Sequence, residues 1–157
     1  MPKPTNTSLP MPVKVQPYAH QQAAFDFACG KFGLIPSASR SRGVALLMEM
    51  GCGKTLTAIG ITGVLFQTGK ISRVLVVAPL SILGVWQSEF EQFADFPYTL
   101  TVLTGTSEKK RRQLKEISGE GLQIAVVNYE SARILADDLL RFNADLVIAD
   151  EAHKIKE

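Results

Sequence analysis

The sequence predicts an α/β domain: an open parallel sheet with helices on both faces. Short, mostly apolar runs recur along the chain, as "VALLM", "RVLVVAP", "TLTVL", "LQIAVVN" and "DLVIAD". Segments with apolar residues at three- and four-residue spacing alternate with them, which is the helical period. Strands that are apolar throughout are buried on both faces, and strands alternating with helices form parallel sheets through right-handed crossovers.

The elements follow in chain order. Residues 1–17 hold five of the eight prolines, so an extended leader is expected ahead of a domain spanning 18–157. From Tyr18 to about Cys29 the pattern is helical, with Ala24, Phe25 and Ala28 on one face. A loop rich in Gly, Ser and Arg separates it from "VALLM", the first strand. "TLTAIGITGVLFQTG" is then a helix closed by Gly69, and "RVLVVAP" a second strand. "SILGVWQSEFEQFA" is a helix whose Ile82, Trp86, Phe90 and Phe93 share an apolar face. That spacing makes Trp86 a core residue rather than a platform for stacking bases. "TLTVL" is the third strand, and "SEKKRRQLKEI" a charged helix with Ser107 as its expected cap. "LQIAVVN", "ESARILADDLLRF" and "DLVIAD" complete the series as strand, helix and strand. Tyr129 and Glu130 read as the start of that helix, without a chemical role.

Bulk properties narrow the function. At 157 residues, with 46% hydrophobic and 20% charged residues, the chain has the make-up of one folded domain. A net charge of +2 is too small to point to nucleic acid, so any basic surface is local. Cys29 and Cys52 lack metal-ligand or CxxC spacing and read as reduced thiols. No apolar run is long enough to span a membrane, and prolines interrupt any signal core. A soluble, cytoplasmic protein without a membrane partner is expected.

Open α/β sheets bind ligands outside the carboxyl ends of their strands. At one such end lies "MEMGCGKTLTAI". Gly51 and Gly53 allow a turn in which successive N–H groups, that of Cys52 among them, point at one anion. Lys54 places a cation on the β- and γ-phosphates of a nucleotide. Thr55 opens a helix whose N-terminus favours phosphate, and its hydroxyl suits Mg²⁺. The plain alternative is a glycine turn with Lys54 in solvent. At another strand end stand Asp150 and Glu151. Asp150 suits a metal held through water, and Glu151 suits the base that orients or deprotonates an attacking water. Alone, this pair reads as a solvated acidic turn. Two complementary motifs at the ends of two strands in one sheet favour the catalytic reading of both.

With "DEAH" following the last strand, the chain resembles the N-terminal lobe of second-superfamily helicase-type ATPases. "DEAHKIKE" is similar to the Swi/Snf branch in particular. In that superfamily the phosphate loop reads AxxGxGKT, and "MEMGCGKT" fits it apart from Met48. The resemblance implies a RecA-like lobe that uses ATP and Mg²⁺, with Lys54, Asp150 and Glu151 catalytic and Thr55 and Asp150 on the metal. It implies that Gln21, in "QPYAHQQAAFDFA", reads adenine, for which an amide is chemically suited. It also implies that Pro79, Leu80 and Ser81, with Thr104 and Gly105, meet the nucleic-acid backbone, and that His153 relays nucleotide state. Cys52 is a variable position of the loop. The run Lys109, Lys110, Arg111 and Arg112 is read as a solvated face.

The family works with two RecA-like lobes closing on ATP, the second carrying an arginine finger. The chain ends four residues after "DEAH" and is therefore expected to be a truncated piece, inactive by itself. The expected parent is a DNA-dependent translocase that moves along double-stranded DNA. The alternatives are a nucleotide-binding module without a nucleic-acid partner and a non-catalytic remnant.

Overall fold

Arg73–Ala78 and Leu122–Asn128, the two longest apolar runs, form the central strands of the sheet. In the computed structural model, residues 9–34 and 54–150 are described. The expected strand "VALLM", the loop Met48–Gly53, Glu151 and His153 lie outside them.

Among the described residues the elements are α1 (Ala19–Lys31), α2 (Lys54–Gln67), β1 (Arg73–Ala78), α3 (Leu83–Phe93), β2 (Tyr98–Val102), α4 (Ser107–Lys115), β3 (Leu122–Asn128), α5 (Tyr129–Ile134), α6 (Ala136–Phe142) and β4 (Leu146–Ala149). The sheet order is β2-β3-β1-β4. All three pairings are parallel, with Val76 opposite Val126 and Ile148. The expected α/β architecture is present, with helices on both sides of the sheet, although the edge strand β4 leaves Val147 and Ala149 exposed on one face.

Alternation along the strands divides the interior into two cores. Val74, Val76 and Ala78 of β1 and Leu122, Ile124 and Val126 of β3 face α1, α2 and α3. Leu75, Val77, Ala125 and Val127 face the other way, toward Leu114, Leu135 and Phe142. A strand buried on both sides cannot alternate polar with apolar, which is why these runs are continuous.

Several local expectations are corrected. The cap of α4 is Thr106, whose Oγ1 accepts from the Lys109 N–H at 3.1 Å; Ser107 is the first helical residue. The segment 130–142 is two helices, α5 and α6, joined at Leu135, where ψ swings to 23°. Leu135 is fully buried, and the break lets both helices lay apolar residues on the second core. The helix expected from Ser81 starts at Leu83, after one 3₁₀ turn over Leu80–Ile82. The described part of the proline-rich leader, residues 9–17, contains no helix, and its Met11 and Val13 are buried within the first core. Val13 makes an antiparallel bridge to Ala94, and the Lys14 N–H donates to the Phe93 carbonyl at 2.8 Å.

Candidate nucleotide site and nucleic-acid edge

Because all four strands run in one direction, the residues that follow them gather at one edge. Pro79–Ser81 follow β1, Leu103–Gly105 follow β2, Tyr129 follows β3 and Asp150 follows β4. Most of these segments are open to solvent: Leu80 is 71% exposed, and Ser81, Thr104 and Gly105 are exposed as well. Thr104 is held by its N–H, which donates to Gln113 Oε1 at 3.1 Å. Gly105 has φ of 91°, a left-handed conformation that favours glycine.

Asp150 differs from its neighbours at this edge. It is only 6% exposed, although it follows a strand whose Val147 and Ala149 face outward. Three elements hold it. Its N–H donates to the Val77 carbonyl of β1 at 2.8 Å. Its carbonyl accepts from the Tyr129 hydroxyl of α5 at 2.6 Å. Its carboxylate Oδ2 accepts from the indole Nε1–H of Trp86 in α3 at 2.9 Å. A buried carboxylate is costly unless hydrogen-bonded, and the indole donor meets part of that need.

Trp86 and Tyr129 are therefore direct neighbours of Asp150; the sequence reading placed them in the core and at a helix start. Both placements are correct as far as they go: Trp86 is 2% exposed and packs on Phe90 at a centroid distance of 6.3 Å. The one available signal was chemical. A buried indole or phenol needs a partner for its polar end, and an acidic strand end is a ready acceptor. At the same edge, Asn128 Oδ1 is buried without a hydrogen-bond partner; buried amide oxygens of this kind are commonly met by water or ligand donors.

Lys54 and Thr55 open α2, so the helix starts where the phosphate motif ends. Thr55 is half-buried. Gly51, Cys52, Gly53 and Glu151 lie outside the described residues. Gln21 is buried at the start of α1, and its Oε1 accepts from the Tyr18 N–H at 2.7 Å, which fixes the orientation of the amide. The hard oxygens of Thr55 and Asp150 are donors of the kind Mg²⁺ takes. Among the described residues there is no cluster of three His, Cys, Asp or Glu side chains. Mg²⁺ usually takes one or two carboxylates together with waters and substrate phosphates.

The basic run on α4 is not uniformly solvated. Lys110 Nζ donates to the buried Ser131 hydroxyl at 2.6 Å, and Arg111 Nε pairs with Asp138 at 3.0 Å. Lys109 and Arg112 are exposed. Arg111 also lines a cleft of about 180 Å³ with Arg73, Lys115, Asp138, Arg141 and Phe142, beside the N-terminal end of β1. No helix among the described residues is long and apolar enough to cross a membrane.

Comparison with known proteins agrees with this geometry. The chain is 29% identical over 154 residues to a DNA repair and recombination protein RAD54-like of Drosophila erecta, covering 90% of this chain and 19% of that protein. It is 29% identical over 119 residues to Switch 2 of Arabidopsis thaliana, covering 69% and 14%. The chain thus spans about a fifth or less of the length of these curated relatives. The Sulfolobus solfataricus SWI2/SNF2 ATPase core, solved in complex with dsDNA, superposes with a TM-score of 0.73 at 26% identity, over 95% of this chain and 29% of that one. The SNF2-related domain model matches residues 20–157, and the chain belongs to that family.

Proposed function

We propose that the chain is the ATP-binding lobe of a DNA-dependent, helicase-like ATPase that translocates along duplex DNA. The observation that carries this reading is the buried Asp150, held by three elements at the ligand-binding edge of a parallel sheet, in a chain of the SNF2-related family. When bound, Mg²⁺·ATP supplies the transferable phosphoryl group and neutralises its charge.

The chain's own residues divide the remaining work. The backbone of Gly51, Cys52 and Gly53 receives the phosphates, and Lys54 adds a cation against the β- and γ-groups. Thr55 and Asp150 hold the metal, while Glu151 orients the attacking water and takes its proton. Gln21 reads the adenine edge, its amide braced by the Tyr18 N–H. Pro79, Leu80, Ser81, Thr104 and Gly105 meet the phosphate backbone of the duplex, which positions DNA without reading its sequence. Full turnover uses a second RecA-like lobe on the other side of the nucleotide; this chain by itself binds ATP and hydrolyses it slowly. The working compartment is the one that holds the DNA.

Titration calorimetry with Mg²⁺·ATP tests the site. Lys54→Ala is expected to weaken binding about tenfold or more, since a charge-assisted contact to phosphate contributes ~1.5–3 kcal/mol. Equal affinity in the variant would remove Lys54 from the site. Duplex DNA should bind with an affinity that falls steeply with salt. ATP binding with no affinity for duplex at low salt would point instead to a nucleotide module without a nucleic-acid partner.

A further inference from the structure

The hydrogen bond between Trp86 and Asp150 joins the two halves of the proposed site, and nothing in the roles assigned above requires it. Trp86 lies on α3, whose lead-in Pro79–Ser81 forms part of the exposed edge. Asp150 follows β4, 64 residues later in the sequence, and is the carboxylate assigned to the metal. The indole is fixed on its other side: Trp86 packs on Phe90, which in turn meets Phe96 edge-on at 6.4 Å and Tyr98 at 5.3 Å. With Trp86 2% exposed, its ring cannot swing independently of the helix. A displacement of α3 therefore reaches Asp150 Oδ2 through one N–H. The donor is neutral, so it orients the carboxylate without competing with a cation for its charge.

We propose that Trp86 is a positioning residue. It aims the Asp150 carboxylate at the metal and makes that aim depend on the position of α3, so that occupancy of the Pro79–Ser81 end by a DNA backbone is felt at the nucleotide site. This deepens the proposed function and rests on its assignment of Asp150 to Mg²⁺. Outer partners of metal ligands act in this way, and their loss commonly costs 10–100-fold in metal affinity or activity. Tyr129 steadies the same residue through its main-chain carbonyl, while Trp86 meets the carboxylate itself.

Trp86 is the one tryptophan in the chain, so its indole N–H gives a single assignable resonance in an ¹⁵N-labelled sample. Three measurements use the 157-residue chain. Calorimetry first establishes that Mg²⁺·ADP binds; absence of binding overturns the nucleotide reading and this inference with it. Where it binds, the indole resonance is expected to shift on addition of Mg²⁺·ADP, and to shift again with a short DNA duplex at low salt. A stationary resonance under demonstrated nucleotide binding overturns the proposal while leaving the nucleotide reading intact. A resonance that moves with nucleotide but not with saturating duplex overturns the link to α3.

The variant Trp86→Phe keeps a ring in the core and deletes the donor. It is expected to raise the Mg²⁺ concentration needed for half-maximal ADP binding about tenfold. Affinity measured without Mg²⁺ should stay unchanged. A folded Trp86→Phe protein with the wild-type Mg²⁺ requirement reduces Trp86 to core filling. Should that variant not fold, the wild-type resonance titrations decide alone.

Discussion

Replacing Gly63 by alanine should destabilise this protein, although Gly→Ala inside a helix ordinarily does the opposite. Gly63 lies in the interior of α2, where alanine would contribute ~0.5–1 kcal/mol through backbone entropy. A Cβ at this position would lie 2.6 Å from Phe96 Cδ1 and 2.7 Å from Pro12 Cγ. Neither atom is the end of a flexible chain. Phe96 is wedged against Phe66, Phe90 and Tyr98, and Pro12 sits between the buried Met11 and Val13. Forcing an extra methyl into such a core costs ~1–3 kcal/mol. The net loss is then ~0–2.5 kcal/mol once the helical gain is offset, with a centre at about 1 kcal/mol. For a domain of this length each kcal/mol lost lowers the melting temperature by about 2–4 °C. Urea denaturation followed by circular dichroism measures it, with Gly84→Ala as the internal control. Gly84 is exposed near the start of α3 with nothing within 4 Å of its would-be Cβ, so alanine there is expected to stabilise by up to ~1 kcal/mol. If Gly63→Ala stabilised the protein as much as Gly84→Ala, the packing of the leader and Phe96 against α2 would be wrong.

Two further expectations concern ionisable groups. The Ser72 backbone N–H, above all, holds the Asp145 carboxyl below its ordinary value of 3.8, with the Arg73 N–H and the Ser72 hydroxyl adding to it. A lowered carboxyl favours the folded state above the unfolded value and loses that contribution as pH falls through the folded one. Asp145→Asn should therefore be less stable than the wild type at neutral pH, with the gap closing below about pH 3.8; because Asp145 is exposed, the gap should be small and shrink with salt. A gap that persists unchanged at pH 2 would assign it to packing. Burial pushes the Cys29 thiol up to about 12, with Asp26 adding to the shift. In a Cys52→Ser background the native protein should resist a thiol-specific chromogenic reagent at neutral pH and react fully in denaturant. Rapid native labelling would place Cys29 at the surface.

The elements most legible in the sequence were those whose signal is local. β1 and β3 were plain because a strand buried on both faces has no freedom to be polar, and every residue of "VLVVA" reports the same environment. The acid at the end of "DLVIAD" was legible for a related reason: a charge directly after an apolar strand sits at a sheet edge wherever the strand lies, even though β4 is exposed on one face. Signals one residue apart were harder to separate. Thr106 and Ser107 both carry capping hydroxyls, and only the backbone geometry chooses between them. The continuous helical period of 130–142 hid the break at Leu135, since a helix can be interrupted without changing which residues are apolar. Pro-rich residues 9–17 were legible as non-helical but not as docked, because Met11 and Pro12 pack against Gly60 and Gly63 of α2, some fifty residues away.

The same limit applies at the site. Family, phosphate motif and acidic strand end follow from residues adjacent in the chain, and the sequence by itself determined them. The parallel order β2-β3-β1-β4 collects four strand ends at one edge, and only the tertiary structure brings Trp86 to Asp150 there. Nothing near Trp86 in the sequence distinguishes an indole that merely fills a core from one that also directs a carboxylate. That difference is a hydrogen bond between residues 64 apart, and a bond of that span exists only once the helix and the strand have packed.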